Sequence, residues 1–358
     1  MKRKWLCVSL LGFLSLMVVF SNAVAEEKTI GMVSICAACT GEARAIASVK
    51  ESAAAKGWKV QVVDGAGDFN RITSAFETFI QAGVDALIAG AIDPEPIKEV
   101  IAKANAAGIP FLAESGIWIP GTAVCVGQDP FRMGQIQGSY IVERLAGEGN
   151  VVVFTFRPAR NVAMREDVMR TILGYYPGIK IIETHNLDIA NVIEDSRRTM
   201  ETWLLRYPKP GQISAVWCGW DDPAMGAATA IDAAGRREIF LIGNDAGPEA
   251  LEKIRDPESA WDVTVFVDYV TIGKLVVEQL EKIFAGQGPD AYNVYIEQPL
   301  VTSANVPAPG KMPPSVESSI FGLGPTTGLS KFFVTALTRR SKETVEFSSW
   351  NPCVSSPQ

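Results

Sequence analysis

The sequence has little of the chemistry on which most enzymes depend. Its 358 residues include one histidine, His185, which argues against histidine-based catalytic triads and histidine-rich metal sites. It has no G-x-x-x-x-G-K-[ST] phosphate loop, and Gly65-Ala66-Gly67 lacks the third glycine of a dinucleotide-binding loop. We therefore expect a protein that is not an enzyme, with no catalytic residues, no metal ligands and no cofactor.

Positive charge is also scarce. Lys and Arg number 33 against 40 Asp and Glu, which gives a net charge of −7 and a pI of about 5.1. Such a balance provides no basic surface to hold nucleic acid. The first residues also predict an export signal rather than the helix-turn-helix of a repressor. Nucleic acid is therefore not an expected partner.

Long apolar runs are absent after the N-terminal segment. Basic residues at positions 2–4 precede an apolar run over 5–20, and Ala23-Val24-Ala25 offers small residues for cleavage. This layout predicts a signal peptide over 1–25, cleaved after Ala25, and a periplasmic mature chain. A membrane anchor is the alternative, although the run is short for a full span. We expect the mature chain to meet the membrane only through a partner.

The cysteines match no disulfide framework and no zinc site. Only Cys36 and Cys39, in Cys-x-x-Cys spacing, invite a functional interpretation. They lie between a predicted strand and a predicted helix, which is where thiol–disulfide exchange motifs occur. The alternative is a simple disulfide or a free pair in an oxidising compartment, and the sequence leaves this choice open.

Short apolar runs alternate with longer amphipathic ones from residue 29 onward. The pattern predicts strands over 29–35, 58–63, 86–89 and 109–113, with helices between them. The series then restarts, with strands over 151–154, 179–182, 214–217 and 240–242. Such alternation predicts an α/β fold with two doubly wound parallel-sheet lobes. Residues 306–358 are rich in Pro, Ser, Gly and Thr, and we expect a poorly ordered tail there.

A weak internal repeat supports the two-lobe interpretation. Residues 104–114 resemble residues 231–245: each segment has a helix end, a glycine, an apolar strand and then an acid. Ligands of open α/β sheets bind outside the carboxyl ends of the strands. Glu114 and Asp245 are therefore expected to face one cleft from opposite lobes. The alternative is that both are ordinary surface or capping residues.

Three motifs of the second predicted lobe carry a resemblance to a known family. They are Ala163-Met164-Arg165-Glu166, the segment Trp220-Asp221-Asp222-Pro-Ala-Met-Gly-Ala-Ala, and Ile242-Gly-Asn-Asp245-Ala-Gly. Together with Thr264-Val-Phe-Val-Asp268, they make residues 29–306 similar to type I periplasmic binding proteins. The resemblance is to the ribose, galactose and xylose-type substrate-binding proteins of sugar ABC transporters.

The resemblance implies a ligand held between the lobes by aromatic stacking and bidentate polar contacts. Sugars suit such a site, because their C–H faces stack on aromatic rings and their hydroxyls pair with charged groups. The alternatives are an ion pair on the helix surface for Arg165 and a place in the hydrophobic core for Trp220. The expected ligand-binding residues are Thr40, Glu114, Arg165, Trp220, Asp221, Asp245 and Asp268.

The sequence departs from the family pattern in two loops. The loop after the first strand, Cys36-Ala-Ala-Cys39-Thr40-Gly41, has no aromatic residue. The loop after the fourth strand is Glu114-Ser115-Gly116, where the family often has Asp-Arg or Asp-Thr. Stacking would then come from Trp118 or Trp220. Acids and tryptophans together also suit a cationic ligand.

The implied function is a periplasmic solute-binding protein that delivers a small polar ligand, a monosaccharide or polyol, to an ABC transporter permease. The implied mechanism is hinge bending of a monomer. The expected lobes are 26–129 plus 266–288, and 130–265 plus 289–305, with crossings near Asp129, Val267 and Gly288. Alternatives are a ligand-sensing input for a membrane receptor and a Cys-x-x-Cys thiol–disulfide oxidoreductase.

Overall fold

Two separate six-stranded sheets form the framework of residues 27–314, the part of the chain that the structure, a computed structural model, describes. The predicted signal peptide over 1–25 lies outside the described residues, and so does the predicted tail from residue 315 onward. Within the described range, no helix is long and apolar enough to cross a membrane.

Strands and helices alternate through both halves of the described chain. The strands are β1 (Thr29–Ser34), β2 (Lys59–Asp64), β3 (Ala86–Gly90), β4 (Phe111–Glu114), β5 (Val124–Gly127), β6 (Glu148–Thr155), β7 (Gly178–Asn186), β8 (Ala215–Cys218), β9 (Phe240–Asp245), β10 (Trp261–Phe266), β11 (Asn293–Tyr295) and β12 (Leu300–Thr302). The α-helices are α1 (Thr40–Ala54), α2 (Phe69–Ala82), α3 (Lys98–Ala106), α4 (Pro130–Arg144), α5 (Arg160–Gly174), α6 (Val192–Arg206), α7 (Asp221–Ala233), α8 (Pro248–Arg255) and α9 (Tyr269–Phe284).

The strand orders show a doubly wound arrangement in each lobe. The first sheet has the order β11-β5-β4-β3-β1-β2 and the second has β12-β10-β9-β8-β6-β7. Neighbouring strands are parallel except for β12, which pairs antiparallel with β10. The prediction of two doubly wound parallel-sheet lobes is confirmed.

Helix α2 illustrates how the local sequence specifies these elements. Asp68 caps its start by accepting hydrogen bonds from the backbone N–H groups of Asn70 and Arg71. Gly83 ends it in a left-handed conformation at φ 68°, which a residue with a Cβ rarely adopts. The apolar side chains between them are buried against the first sheet, which fixes the orientation of the helix.

The chain passes between the lobes three times. The first passage joins β5 to α4, which packs on α5 of the second lobe. The second joins β10 to α9, which packs back on α1 of the first lobe, where the Ser48 hydroxyl donates to the Val270 carbonyl at 2.7 Å. The third joins β11 to β12, between Tyr295 and Leu300.

The third passage corrects one sequence-based assignment. Residues 289–305 were expected in the second lobe, with a crossing near Gly288. Strand β11 instead pairs with β5 of the first sheet, with Asn293 opposite Cys125. Only β12 joins the second sheet, where Val301 lies opposite Thr264. A three-residue strand carries too little periodicity for the sequence to have revealed this pairing.

The close packing of α4 on α5 gives the first prediction. A Cβ at Gly134 would lie 2.8 Å from the Cβ of Val168 and would also collide with the Arg165 carbonyl oxygen. Gly134→Val should therefore lower the free energy of unfolding by about 2 kcal/mol or more, measured by urea denaturation. The control is Gly174→Ala in α5, where a Cβ meets nothing within 4 Å. It should leave stability unchanged or raise it slightly, and equal effects would contradict this account of the packing.

Candidate functional site

A cavity of about 60 Å³ lies between the lobes, at the carboxyl ends of strands from both sheets. Its apolar wall consists of Ile35, Ala91, Phe156, Ala159, Val162, Ile189 and Trp220. Its uncharged polar groups come from Ser115, Gln128 and Asn161, and its ionisable groups from Glu42, Arg165, Asp245 and Tyr269. The Cys36–Cys39 pair also lines it. Both lobes thus contribute to one site.

Direct hydrogen bonds hold the lobes closed around this cavity. Thr40 Oγ1 of the first lobe donates to Asp222 Oδ1 of the second at 2.6 Å, and the Thr40 N–H donates to Oδ2 at 3.2 Å. Asn161 Nδ2 donates to the Ser115 carbonyl at 2.7 Å. These bonds would break if the lobes moved apart, so the structure represents the closed form.

The closed form should depend on the Thr40–Asp222 bond. Thr40→Val keeps the shape of the side chain but leaves one buried carboxylate oxygen without its donor, at a cost of about 1–2 kcal/mol. Since Thr40 does not line the cavity, affinity for the bound ligand should fall about five- to thirtyfold through destabilised closure alone. Calorimetric titration with a ligand found by thermal-shift screening measures the affinity, and small-angle scattering should detect a larger open fraction. Unchanged affinity would contradict this role.

Several non-glycine residues at the cavity edge have a left-handed backbone. Ala91 and Ser115 have φ of 51°, and each follows a strand of the first sheet. Asp245 has φ of 109° and Ala246 has φ of 52° at the end of β9. Such conformations cost free energy and persist where the surroundings impose them, as they often do at binding sites. The two segments of the predicted repeat thus share a strained backbone, because the residues that follow Glu114 and Asp245 both have a left-handed conformation.

Arg165 presents a buried cation to the cavity from α5. It is 2% exposed, its Nη1 donates to the Gly219 carbonyl, and its buried Nε has no hydrogen-bond partner in the described part of the chain. Burial lowers the pKa of this guanidinium, and the charge of Asp245 opposes that shift. The Nε–H group of Arg165 is therefore a buried donor without an acceptor, and a bound ligand could supply that acceptor.

Glu42 and Glu114 form a buried carboxyl pair in the first lobe. Glu42 accepts from the Ser34 hydroxyl at 2.8 Å, and Glu114 accepts from the Ser115 hydroxyl. The two carboxyls lie close enough to interact electrostatically, and the buried Oε2 of Glu114 has no hydrogen-bond partner among the described residues. Burial raises the pKa of Glu42 well above its usual value, and the charge of Glu114 adds to the shift. Burial likewise raises the pKa of Glu114 to about 7.

Asp245 is the corresponding acid of the second lobe. Its Oδ1 accepts from the Tyr269 hydroxyl of α9 at 2.8 Å, so this bond also joins the lobes. Burial raises the pKa of Asp245 to about 7, although Arg165 and Tyr269 oppose the shift. Asp221 lies behind it, and burial together with the charge of Asp245 raises the pKa of Asp221 well above its usual value.

These carboxyls predict that the empty protein loses stability as pH rises. Glu114 and Asp245 have folded pKa values of about 7, against about 4 in unfolded chains. The folded state therefore holds more protons between these values, and the stabilisation is complete below pH ~4 and is lost as pH rises through ~7. Between these two pKa values, each group lowers the free energy of unfolding by up to about 1.4 kcal/mol for every pH unit of increase.

Melting temperatures between pH 5 and 8 provide the measurement. Asp245→Asn removes one such group and should give a shallower decline than the unmodified protein. The control Glu249→Gln removes an exposed acid at the start of α8 and should keep the original slope. Identical slopes for all three proteins would contradict a raised pKa at Asp245.

The structure brings three of the seven predicted site residues to the cavity: Arg165, Trp220 and Asp245. Glu114 is fully buried behind Glu42 rather than in the wall. Thr40 bonds across the lobes to Asp222 instead of lining the cavity. Asp221 and Asp222, the two acids in the first turn of α7, do not line the cavity either.

Asp221 and Asp268 were expected to bind the ligand, but their hydrogen bonds hold both side chains away from the cavity. Asp221 accepts from the Gly247 N–H and the Thr264 hydroxyl, both at 2.9 Å, which holds it below the cavity. Asp268 caps α9, where Oδ1 accepts from the Thr271 N–H at 3.0 Å and Oδ2 from its hydroxyl at 2.7 Å. Neither residue lines the cavity.

Sequence reasoning missed Phe156, Asn161, Gln128, Glu42 and Tyr269, all of which line the cavity. Phe156 and Gln128 each follow a strand, so the rule that ligands meet strand carboxyl ends would have found them. Trp118, the other expected stacking residue, instead packs on Tyr292 with ring centroids 4.5 Å apart. It is not among the lining residues.

The Cys-x-x-Cys pair forms a disulfide between Cys36 and Cys39 at the edge of the cavity. Cys39 is also the N-cap residue of α1. Cys125 and Cys218 are buried free thiols in the two sheets. Among residues 27–314, no group of His, Cys, Asp and Glu is arranged to hold a metal ion.

Two doubly wound lobes that close over a cavity at their strand ends are the typical architecture of two-lobed binding proteins. The chain belongs to the family described as periplasmic binding protein domain, whose model matches residues 37–288. The resemblance found in the sequence is thus confirmed. It is 28% identical over 245 residues to the ribose import binding protein of Bacillus subtilis, covering 67% of this chain and 76% of that protein.

Other similar proteins agree with this family. The D-apiose import binding protein of Paraburkholderia graminis is 28% identical over 259 residues, covering 71% of this chain and 80% of that one. An ABC sugar transporter subunit from Rhodobacter sphaeroides has a TM-score of 0.73 and 29% identity, covering 78% and 99% of the two chains. An ABC transporter solute binding protein from Agrobacterium vitis with bound allitol has a TM-score of 0.74 and 26% identity, covering 79% and 97%.

Proposed function

We propose that this protein is the solute-binding component of an ABC importer and that it holds a small polyhydroxylated ligand, a sugar or polyol, between its lobes. The observation that carries the proposal is the closed cavity, where the buried Nε of Arg165 and Oε1 of Gln128 have no hydrogen-bond partner among the described residues. Buried polar atoms without partners are rare in folded proteins, and a ligand rich in hydroxyls would satisfy both kinds.

The apolar wall of the cavity supports the same class of ligand. Phe156 and Trp220 provide aromatic faces on the second-lobe side, while Ile35 and the Cys36–Cys39 disulfide provide apolar surface on the first. A sugar or polyol has C–H groups that pack on such surfaces and hydroxyls that reach the polar groups around them. The modest volume restricts the ligand to a small molecule.

The similar proteins support transport as the role of this binding. The Bacillus subtilis and Paraburkholderia graminis proteins are import binding proteins, and the Agrobacterium vitis protein has bound allitol, a polyol. By analogy, the closed form would be presented to a membrane permease, and the chain would act as a monomer in the periplasm without catalysis. The export signal expected over residues 1–25 is consistent with that location.

Ligand binding tests the proposal directly. The purified protein is screened by thermal shift against pentoses, hexoses, inositols, linear polyols and their amino derivatives. At least one compound should raise the melting temperature by several degrees, because a ligand of the folded state stabilises it by mass action. No shift with any compound of the panel would contradict the proposed function.

Arg165→Met should then weaken binding of that compound by about a hundredfold or more, measured by calorimetric titration, since it removes charged hydrogen bonds from a buried site. The matched control is Arg198→Met on the exposed side of α6, which should bind normally. Normal binding by Arg165→Met would contradict the assignment of the cavity as the site.

A further inference from the structure

The cavity is enclosed by more buried acid than its cations balance. Glu42 and Asp245 line it, with Glu114 and Asp221 directly behind them. Arg165 is the one cation in the wall among residues 27–314. Arg44 does not line the cavity; it donates to the backbone carbonyl of Asp245 at 3.4 Å and lies over the Tyr269 ring. The site therefore has a surplus of hydrogen-bond acceptors and of potential negative charge.

Closure of the lobes increases this surplus. Glu42 belongs to the first lobe and Asp245 to the second. Burial is the main cause of the raised pKa of Glu42, and the charge of Asp245 across the cleft adds a smaller contribution. Two carboxylates brought together away from water repel each other unless one takes up a proton or a cation lies between them. The closed form thus favours a positively charged occupant over an empty cleft.

An independent observation indicates the donors and acceptors that the ligand must bring. Gln128 is 3% exposed, and its buried Oε1 lacks any donor among the described residues, so the ligand has to supply an N–H or O–H group. Arg165 lacks an acceptor for Nε, which a hydroxyl or ring oxygen can supply. An ammonium group offers three donors and no acceptor, and the remaining hydroxyls supply both.

From these observations we infer that the ligand is a polyhydroxylated molecule with a protonated primary amine, whose ammonium group binds between Glu42 and Asp245 while its hydroxyls meet Arg165 and Asn161. The inference rests on the proposed function and specifies its ligand class. In this arrangement the amine neutralises the two acids that closure brings together. Its binding therefore stabilises the closed form more than a neutral sugar of the same shape does.

The acidic groups around the amine give its binding a defined pH dependence. The ammonium requires Glu42 and Asp245 as carboxylates, and burial raises the pKa of both, that of Asp245 to about 7. Binding should therefore release protons, and affinity should rise with pH up to about 8.

Other titratable and charged groups also face this point from the surrounding elements. They are Glu114 on β4, Asp221 and Asp222 on α7, Arg44 on α1, Arg165 on α5, and Tyr269 on α9. Arg44 and Arg165 lower the pKa of Asp245 and so reduce the shift without reversing it.

Matched ligand pairs test the inference on the purified protein. Sorbitol is compared with 1-amino-1-deoxysorbitol, glucose with glucosamine, galactose with galactosamine, and myo-inositol with amino-deoxyinositols. The hydroxyl compound of each pair matches the amine in size and lacks its charge. In the pair of best shape, the amine should bind at least about tenfold more tightly at pH 7.5. The ratio should shrink at pH 5.5, and titrations in buffers of different ionisation enthalpy should reveal proton release.

Variants then locate the amine. Glu42→Gln and Asp245→Asn keep shape and hydrogen bonding but remove the charge, so each should reduce the preference for the amine about tenfold while affecting the neutral partner less. Glu249→Gln is the control, because it removes an exposed negative charge from α8, outside the cavity wall. Its amine preference should be unchanged.

The outcomes separate this inference from the proposed function. If a neutral sugar or polyol binds as tightly as its amine, the amine inference is wrong and the binding function stands. If an amine binds but Glu42→Gln and Asp245→Asn keep its preference, the assigned position is wrong. If no member of any pair binds, both the inference and the proposed function fail.

Discussion

The enclosure of carboxyl groups between two lobes is the constraint to which the other features of this molecule relate. Parallel sheets direct the ends of their strands toward the same gap, so polar loops from both lobes meet there. Closing that gap takes Glu42, Asp221 and Asp245 out of water, which disfavours their charged forms. Arg165 and the bridging hydrogen bonds offset only part of this cost. The geometry of closure and the charge of the ligand are therefore two aspects of one energetic balance.

The sequence was sufficient to predict the fold because the pattern that indicates it is repeated many times. Each buried strand and each amphipathic helix carries its own periodic pattern, and their alternation allows few arrangements. The short edge strands were different. Strand β11 has three residues, and its partner β5 is formed by residues almost 170 positions earlier. No local pattern distinguishes a strand that returns to the first sheet from one that joins the second.

The site was predictable only where a residue's place follows from its strand. Arg165, Trp220 and Asp245 could be located because each belongs to a motif next to a strand of the second sheet. Asp221 and Asp268 stand beside such positions, but capping and backbone contacts hold them elsewhere. At the start of a helix, a shift of one residue decides whether a side chain lines the cavity or only supports the residues that do. Tyr269 illustrates this, since it lines the cavity directly after a residue that only caps its helix.

The three passages of the chain between the lobes also govern the order in which the protein can be completed. Because α9 and β11 follow the whole of β6–β10 in the chain, a nascent polypeptide emerging N-terminus first holds an unfinished first lobe while the second is being made. During that interval the edge of β5 has no neighbour and the apolar face of α1 lacks its helical partner. Unpaired strand edges of this kind promote association with other chains. The sheet that is begun first is thus completed only after β10 of the second sheet has been made, and during this interval its open edge is available to other chains.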